Sequence, residues 1–193
     1  VPEGAPVVGM VAMLRPEKAH EVFLKAASQV LQKKPRTHFL IVGDGPERGR
    51  LEALAEKEGL QTHVHFLGAR EDVPQILSLL DVACLSSHSV VETLSVSVLE
   101  YMAAAKPVVA TRVGSLAELV EDSRNGFLVD PGDDRALADR ILLLLQDRSL
   151  ARQMGERGRE KVLKEYTVEQ MVGKTEALFA KLLQIEEVNA ICA

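Results

Sequence analysis

Two glutamates eight positions apart, Glu92 and Glu100, stand in the stretch VVETLSVSVLEYMAAAKPVVATRVGS (residues 90–115), whose other residues are mostly apolar or small. Carboxylates seldom occur in such surroundings unless something pairs with them. A carboxylate accepts two hydroxyl hydrogen bonds well, so vicinal diols are natural partners for both. If a helix starts near Leu94 to Ser97, Glu92 lies just before it and Glu100 about one and a half turns inside, roughly 10 Å apart along the chain. The free N–H groups of that first turn, with small side chains around them, form a ready anion site. The same residues also fit a blander description in which Glu92 caps the helix and Glu100 is a solvated surface charge. Residue types alone leave the two readings level.

Two further polar stretches bear on the question. In RPEKAH (15–20), Pro16 suits a helix start because its missing N–H would be unpaired there anyway. Arg15 and Lys18 then stand at the positive end of a helix, a poor place for cations unless an anion is present. Two solvated surface cations are the alternative. In VGDGPERGR (42–50), Gly43-Asp44-Gly45 invites a dinucleotide-binding reading, but Arg48 replaces the third glycine and the stretch follows the second strand instead of the first. A structural turn before a helix is the better description.

The elements that must position these residues alternate along the chain. Nearly continuous apolar runs at 7–14, 37–43, 64–68, 82–87, 107–112 and 126–130 read as buried parallel strands. Amphipathic segments at 18–33, 46–58, 72–80, 95–105 and 115–121 separate them, the first with Val22, Phe23, Ala26, Ala27, Val30 and Leu31 at helical spacing. This order predicts an α/β fold, a doubly wound parallel sheet of about six strands with right-handed crossovers. Beyond Asp130 only helices are expected, at 133–146, 149–164 and 167–187, with apolar stripes that include Leu137, Ile141, Leu142 and Leu145, then Met171, Leu178 and Leu182. In such sheets the ligand lies outside the carboxyl ends of the strands, where strand order switches.

Composition bounds the function. The 193 residues, 47% hydrophobic and 4% aromatic with no Trp, suit one well-cored domain of helices on a sheet. A net charge of −5, with no basic run, excludes a nucleic-acid partner. Cys84 and Cys192 are expected to be reduced thiols in a cytoplasmic protein. No apolar stretch reaches the roughly 18 residues that a membrane span needs. The five histidines, His20, His38, His63, His65 and His88, are scattered and read as structural. Residues 1–6 are expected to be the remnant of a linker in a longer polypeptide, 7–187 the domain, and 188–193 a tail.

The spacing E-x7-E followed by YMAAAKPVVATRVGS resembles the signature of retaining GT-B glycosyltransferases of family 4, the glycosyl transferases group 1. MLRPEKAH resembles their phosphate loop, LIVGDGPER their second strand and turn, VHFLGAREDV their base-binding turn, and NGFLVDPGD their late strand. The resemblance covers nearly the whole chain and only the C-terminal, donor-binding Rossmann-like half of that fold. It implies binding of a nucleotide-diphosphate sugar and, in a full-length parent, transfer of a hexosyl group to an acceptor with retention. By position, Glu100 would hold the donor ribose, Glu92 the transferred sugar, and Lys18, with Arg15, the diphosphate. Backbone at Leu94, Ser95 and Val96 would meet sugar and phosphate, and backbone at Ala69 and Arg70 the base. No Asp-x-Asp site is evident, so no metal and no other cofactor is implied.

The partner implied is an N-terminal acceptor domain of the same polypeptide, without which the fragment is expected to be inactive. A lipid- or polysaccharide-linked acceptor, and membrane association through the missing half, are compatible with the resemblance. Three positions depart from the pattern. Met13 stands at the usual phosphate arginine, Leu94-Ser95 at the usual Phe-Gly, and Ala105 where a glycine often ends the helix. Met13 and Leu94-Ser95 favour one alternative, a non-catalytic regulatory or partner-binding module; the other is a sugar-nucleotide epimerase on the same fold, whose catalytic carboxylates would come from the missing half.

Overall fold

A computed structural model describes residues 1–88 and 92–183. Six strands, β1 (Val7–Val11), β2 (His38–Val42), β3 (Val64–Gly68), β4 (Val82–Leu85), β5 (Val108–Thr111) and β6 (Gly126–Val129), form one sheet in the order β3-β2-β1-β4-β5-β6. Every neighbouring pair is parallel. This is the doubly wound, Rossmann-like architecture expected from the sequence. The chain winds outward from β1 to β3, returns, and winds the other way from β4 to β6. Right-handed crossovers therefore put helices on both faces, and strand order switches between β1 and β4.

Eight α-helices follow: α1 (His20–Lys33), α2 (Arg48–Lys57), α3 (Val73–Ser78), α4 (Val96–Ala103), α5 (Leu116–Leu119), α6 (Asp134–Gln146), α7 (Arg148–Glu165) and α8 (Val168–Leu183). α1 packs against α2 and α6, and α4 packs against α7. The stripe read from sequence on α1 is buried at Val22, Phe23, Ala26, Ala27 and Val30. Asp133 and Asp147 cap α6 and α7 by accepting the N–H groups of Ala136 and Leu150 at 2.8 and 2.9 Å, the usual work of a short acidic side chain at that position. Among the described residues no helix is long and apolar enough to cross a membrane.

Four expectations need adjustment. The first strand stops at Val11 instead of residue 14, because the buried Tyr101 hydroxyl accepts the Val11 N–H at 2.6 Å and occupies the place of a strand partner. Residues 12–14 run instead beside the β2 loop, with the Ala12 and Leu14 N–H groups donating to the carbonyls of Val42 and Asp44. Pro16 opens a separate 3-10 turn, Pro16–Lys18, closed by Ala19 at φ 49°, and α1 starts only after it. The helix expected at 95–105 is α4, with Leu94 outside it and Ser95 as its cap. The stripe on α8 exists by period but buries nothing; Met171, Leu178 and Leu182 are exposed.

The end of α4 explains how Ala105 serves where glycine is usual. Its φ is +54°, and the N–H groups of Ala105 and Lys106 donate to the carbonyls of Met102 and Tyr101, a Schellman closure. A left-handed alanine costs about 1 kcal/mol. The packing of α7 over the turn, through its buried Gly155 beside the Ala105 carbonyl, holds it there. Cys84 is a free thiol buried in β4, and burial pushes its pKa far up, so it is inert. Cys192, the 184–187 end of the helix expected from sequence, and the expected tail 188–193 lie outside the described residues.

Candidate functional site at the sheet's switch point

Three segments converge where β1 and β4 part: the turn 16–19, the loop after β4, and the loop after β5. Packing sews them together. The Ser86 hydroxyl, at the buried end of β4, donates to the carbonyls of Lys18 and Ala19 at 3.2 and 3.0 Å. The His88 N–H donates to the Glu17 carbonyl at 2.9 Å. The N-terminus of α1 is thus fixed against the β4 loop by bonds that cross the switch point.

Glu92 lies at the centre, 8% exposed. Its Oε1 accepts from the Lys18 ammonium and, at 2.8 Å, from the buried Ser87 hydroxyl. The Ser87 carbonyl is in turn held by the Thr111 hydroxyl at 2.6 Å. The Glu92 carbonyl accepts the Ser115 N–H at 3.2 Å. Close approach of that carbonyl to Gly114 explains the glycine: its φ is +51°, and a Cβ there would overlap the Glu92 oxygen. Ser95 caps α4 by accepting the Val98 N–H, so the reading of Glu92 as the helix cap fails. A buried carboxylate needs paired partners of this kind.

The other candidates are placed as follows. Glu100 is exposed on α4, and its carboxylate makes no hydrogen bond or ion pair among the described residues. Leu94 and Val96 are exposed on either side of the buried Ser95, at the N-terminus of α4. Arg15 is half exposed beside Glu17 at 4.0 Å and does not reach Glu92 or Lys18. Met13 is exposed, Ala69 and Arg70 follow β3, and all three line a cleft of about 440 Å³ with Val11, Gly43, Asp44 and Ser97. Arg70 is occupied by a bidentate pair with Asp72, both bonds 2.7 Å. Lys18 and Glu92 are therefore brought together, while Arg15, Arg70 and Glu100 stand around them on separate elements. Residues 89–91 of the intervening loop lie outside the described residues.

Gly43 and Gly45 prove structural, as expected. A Cβ at either would overlap a carbonyl oxygen of the β1 loop, that of Ala12 or of Leu14. The glycines let two backbones pass. Sequence reading missed Tyr101, Ser86, Ser87, Thr111 and Gly114. The signal available for the serines was a polar pair ending an apolar strand at the sheet's carboxyl edge; Tyr101 looked like any apolar helix residue. His20 opens α1 with both ring nitrogens buried and without a partner among the described residues, and burial lowers its pKa to about 4.

Fold and cleft together define a doubly wound α/β domain with a crevice at the strand switch, where sheets of this kind take ligands. The family model of glycosyl transferases group 1 matches residues 1–161, and the chain belongs to that family. It is 33% identical over 164 residues to N-acetyl-alpha-D-glucosaminyl L-malate synthase of Bacillus anthracis, covering 85% of this chain and 41% of that protein. Among solved structures, Anabaena Alr3699/HepE in complex with UDP-glucose superposes with a TM-score of 0.83 at 28% identity, over 90% of this chain and 49% of that one. The C-terminal domain of the glycosyl transferase group 1 family protein LpcC from Francisella tularensis gives 0.75 at 26% identity, over 84% and 87%. The chain spans less than half the length of the curated relatives it matches.

Proposed function

We propose that this chain is the donor-binding domain of a retaining, family 4 glycosyltransferase, and that it holds a nucleotide-diphosphate sugar at the switch point. The observation that carries the reading is the meeting of Lys18 and Glu92 beneath the N-termini of α1 and α4. A cation between two helix N-termini suits a diphosphate. Glu92 then accepts hydroxyls of the transferred hexosyl group, Glu100 the ribose diol, and the backbone at Leu94, Ser95 and Val96 faces sugar and phosphate. The cleft lined by Met13, Ala69 and Arg70 takes the base, and Arg15 swings to the diphosphate from its exposed position. Charge developing on the departing diphosphate is met by Lys18, Arg15 and the helix N-termini, with no metal and no cofactor invoked.

In this reading residues 7–187 form the nucleotide-sugar domain between a linker remnant at 1–6 and a tail at 188–193. A partner domain in the same polypeptide supplies the acceptor site, and the acceptor is lipid- or polysaccharide-linked. The protein works in the cytoplasm, where that partner half brings it to a membrane. The chain alone binds donor without transferring sugar. The test is a thermal-shift panel of UDP-, GDP- and ADP-sugars: a ligand at a hundred times its dissociation constant adds about 2.7 kcal/mol of stability. No shift with any of them rejects the donor site. Transfer to an acceptor by residues 1–193 alone rejects the division of labour.

A further inference from the structure

In the donor reading Lys18 faces the diphosphate and Glu92 the sugar, yet in the structure these two side chains face each other. The Lys18 side chain is 25% exposed and that of Glu92 8%. Glu92 is tethered at both ends. Ser87 and Lys18 hold its Oε1, the Thr111 hydroxyl fixes Ser87, and Ser115 holds its backbone carbonyl. Lys18 sits on a single 3-10 turn, with a flexible four-carbon stem. Of the two partners, the ammonium is the one able to move.

We propose that Glu92 is a specificity determinant acting through Lys18, which it holds as an internal counter-ion so that the site favours the intact nucleotide-diphosphate sugar over the nucleotide diphosphate left after transfer. The proposal rests on the donor reading. The terminal phosphate of a free nucleotide diphosphate is close to doubly charged at neutral pH, since the second ionisation of a phosphate monoester has a pKa of about 6. To bind, it must draw the ammonium away from Glu92 and leave a buried carboxylate without its cation. In the intact donor the same phosphate is esterified and carries one charge fewer. Its sugar also brings hydroxyl donors to the carboxylate. Competition for Lys18 is therefore a penalty against product, which the sugar hydroxyls at Glu92 offset for substrate, and a penalty built against one ligand is how many sites separate close relatives.

The test is isothermal titration of UDP, GDP and ADP, each with its glucose conjugate, against the chain and its Glu92→Gln and Lys18→Ala variants and their double mutant. Gln keeps the volume of Glu92 and can still accept from Ser87, but it releases Lys18. Glu92→Gln is expected to tighten the nucleotide diphosphate by about five- to tenfold and to lower the preference for the conjugate by at least as much, the effect of removing a modest competing charge pair. In the Lys18→Ala background the gain disappears. Glu92→Asp keeps the charge but draws it back by one methylene, and gives a smaller gain if Gln proves unstable. If neither Glu92 variant tightens the diphosphate while Lys18→Ala weakens it, the counter-ion proposal falls and the donor reading stands. A gain that persists without Lys18 also overturns it, because Glu92 then acts on the phosphate directly. If none of the six ligands binds the unmodified chain, the donor reading itself fails.

Discussion

Two loops at the same edge of the sheet solve different problems with similar-looking residues. The β2 loop, Gly43 to Glu47, holds the glycines that suggest phosphate binding, and the structure uses them to let the β1 and β2 loops pass within backbone contact. Its charged neighbour Arg48 is turned along its own helix to Asp44 and Glu52, at 3.1 and 2.8 Å. The β4 loop and its neighbours contain one such glycine, Gly114, and otherwise rely on side chains: Ser86, Ser87 and Glu92, with Lys18 and Thr111 closing the network. Glycines at a sheet edge report where backbones meet. A buried carboxylate paired with an ammonium and a hydroxyl, its neighbours braced from the next loop, marks where the donor is proposed to bind.

The largest expected effect tests the glycine in the functional loop. Gly114→Ala places a Cβ on the Glu92 carbonyl at a positive φ and is expected to cost about 4 kcal/mol in denaturant unfolding, near the top of the range for point mutants. Gly59→Ala, at φ +70° but with open space around it, is expected to cost only about 1 kcal/mol. Similar losses at the two sites break the claim that close approach, and not φ alone, demands glycine at 114.

Acid comes next. Burial keeps the His20 ring neutral down to about pH 4, while the unfolded chain takes up that proton near 6.5. The unfolded state therefore binds more protons between these values. Stability is fully present above pH 6.5 and falls as pH drops towards 4, by up to about 3 kcal/mol from this ring. His38 and His65, also lowered mainly by burial, act in the same direction. Urea melts from pH 7 to pH 4 measure the slope, and His20→Leu is expected to flatten most of it. An unchanged slope in that variant moves the acid sensitivity away from the switch point.

Smaller effects contrast the two loops directly. Lys18→Ala is expected to weaken a nucleotide diphosphate by about 1.5–3 kcal/mol and a nucleoside monophosphate much less, because it removes a charge-assisted bond to the second phosphate. Glu100→Gln is expected to weaken nucleotide and nucleotide sugar alike, by about tenfold, through the shared ribose diol. Arg48→Ala, in the glycine-bearing loop, is expected to change neither binding nor stability measurably, as its pairs are exposed. If calorimetry shows Arg48→Ala weakening the diphosphate as much as Lys18→Ala, the glycine loop is a phosphate site after all and the comparison collapses.

The sequence by itself determined the fold class, six parallel strands and the order of elements, because apolar runs and helical stripes are local patterns that packing then satisfies. It also drew attention to Lys18 and Glu92, though residue type and position left a structural role level with a functional one until the family resemblance was added. Tertiary structure decided what could not be local. Tyr101 ends β1 from 90 residues away, Ser86 reaches the Lys18 turn across 68, and Thr111 reaches Ser87 across 24. Such bonds depend on which strands become neighbours, and neither hydrophobic period nor spacing encodes that. The same reason separates the two glutamates. Both stand in one short stretch of sequence, and only the crossing of β1 against β4 makes one a buried counter-ion and leaves the other exposed.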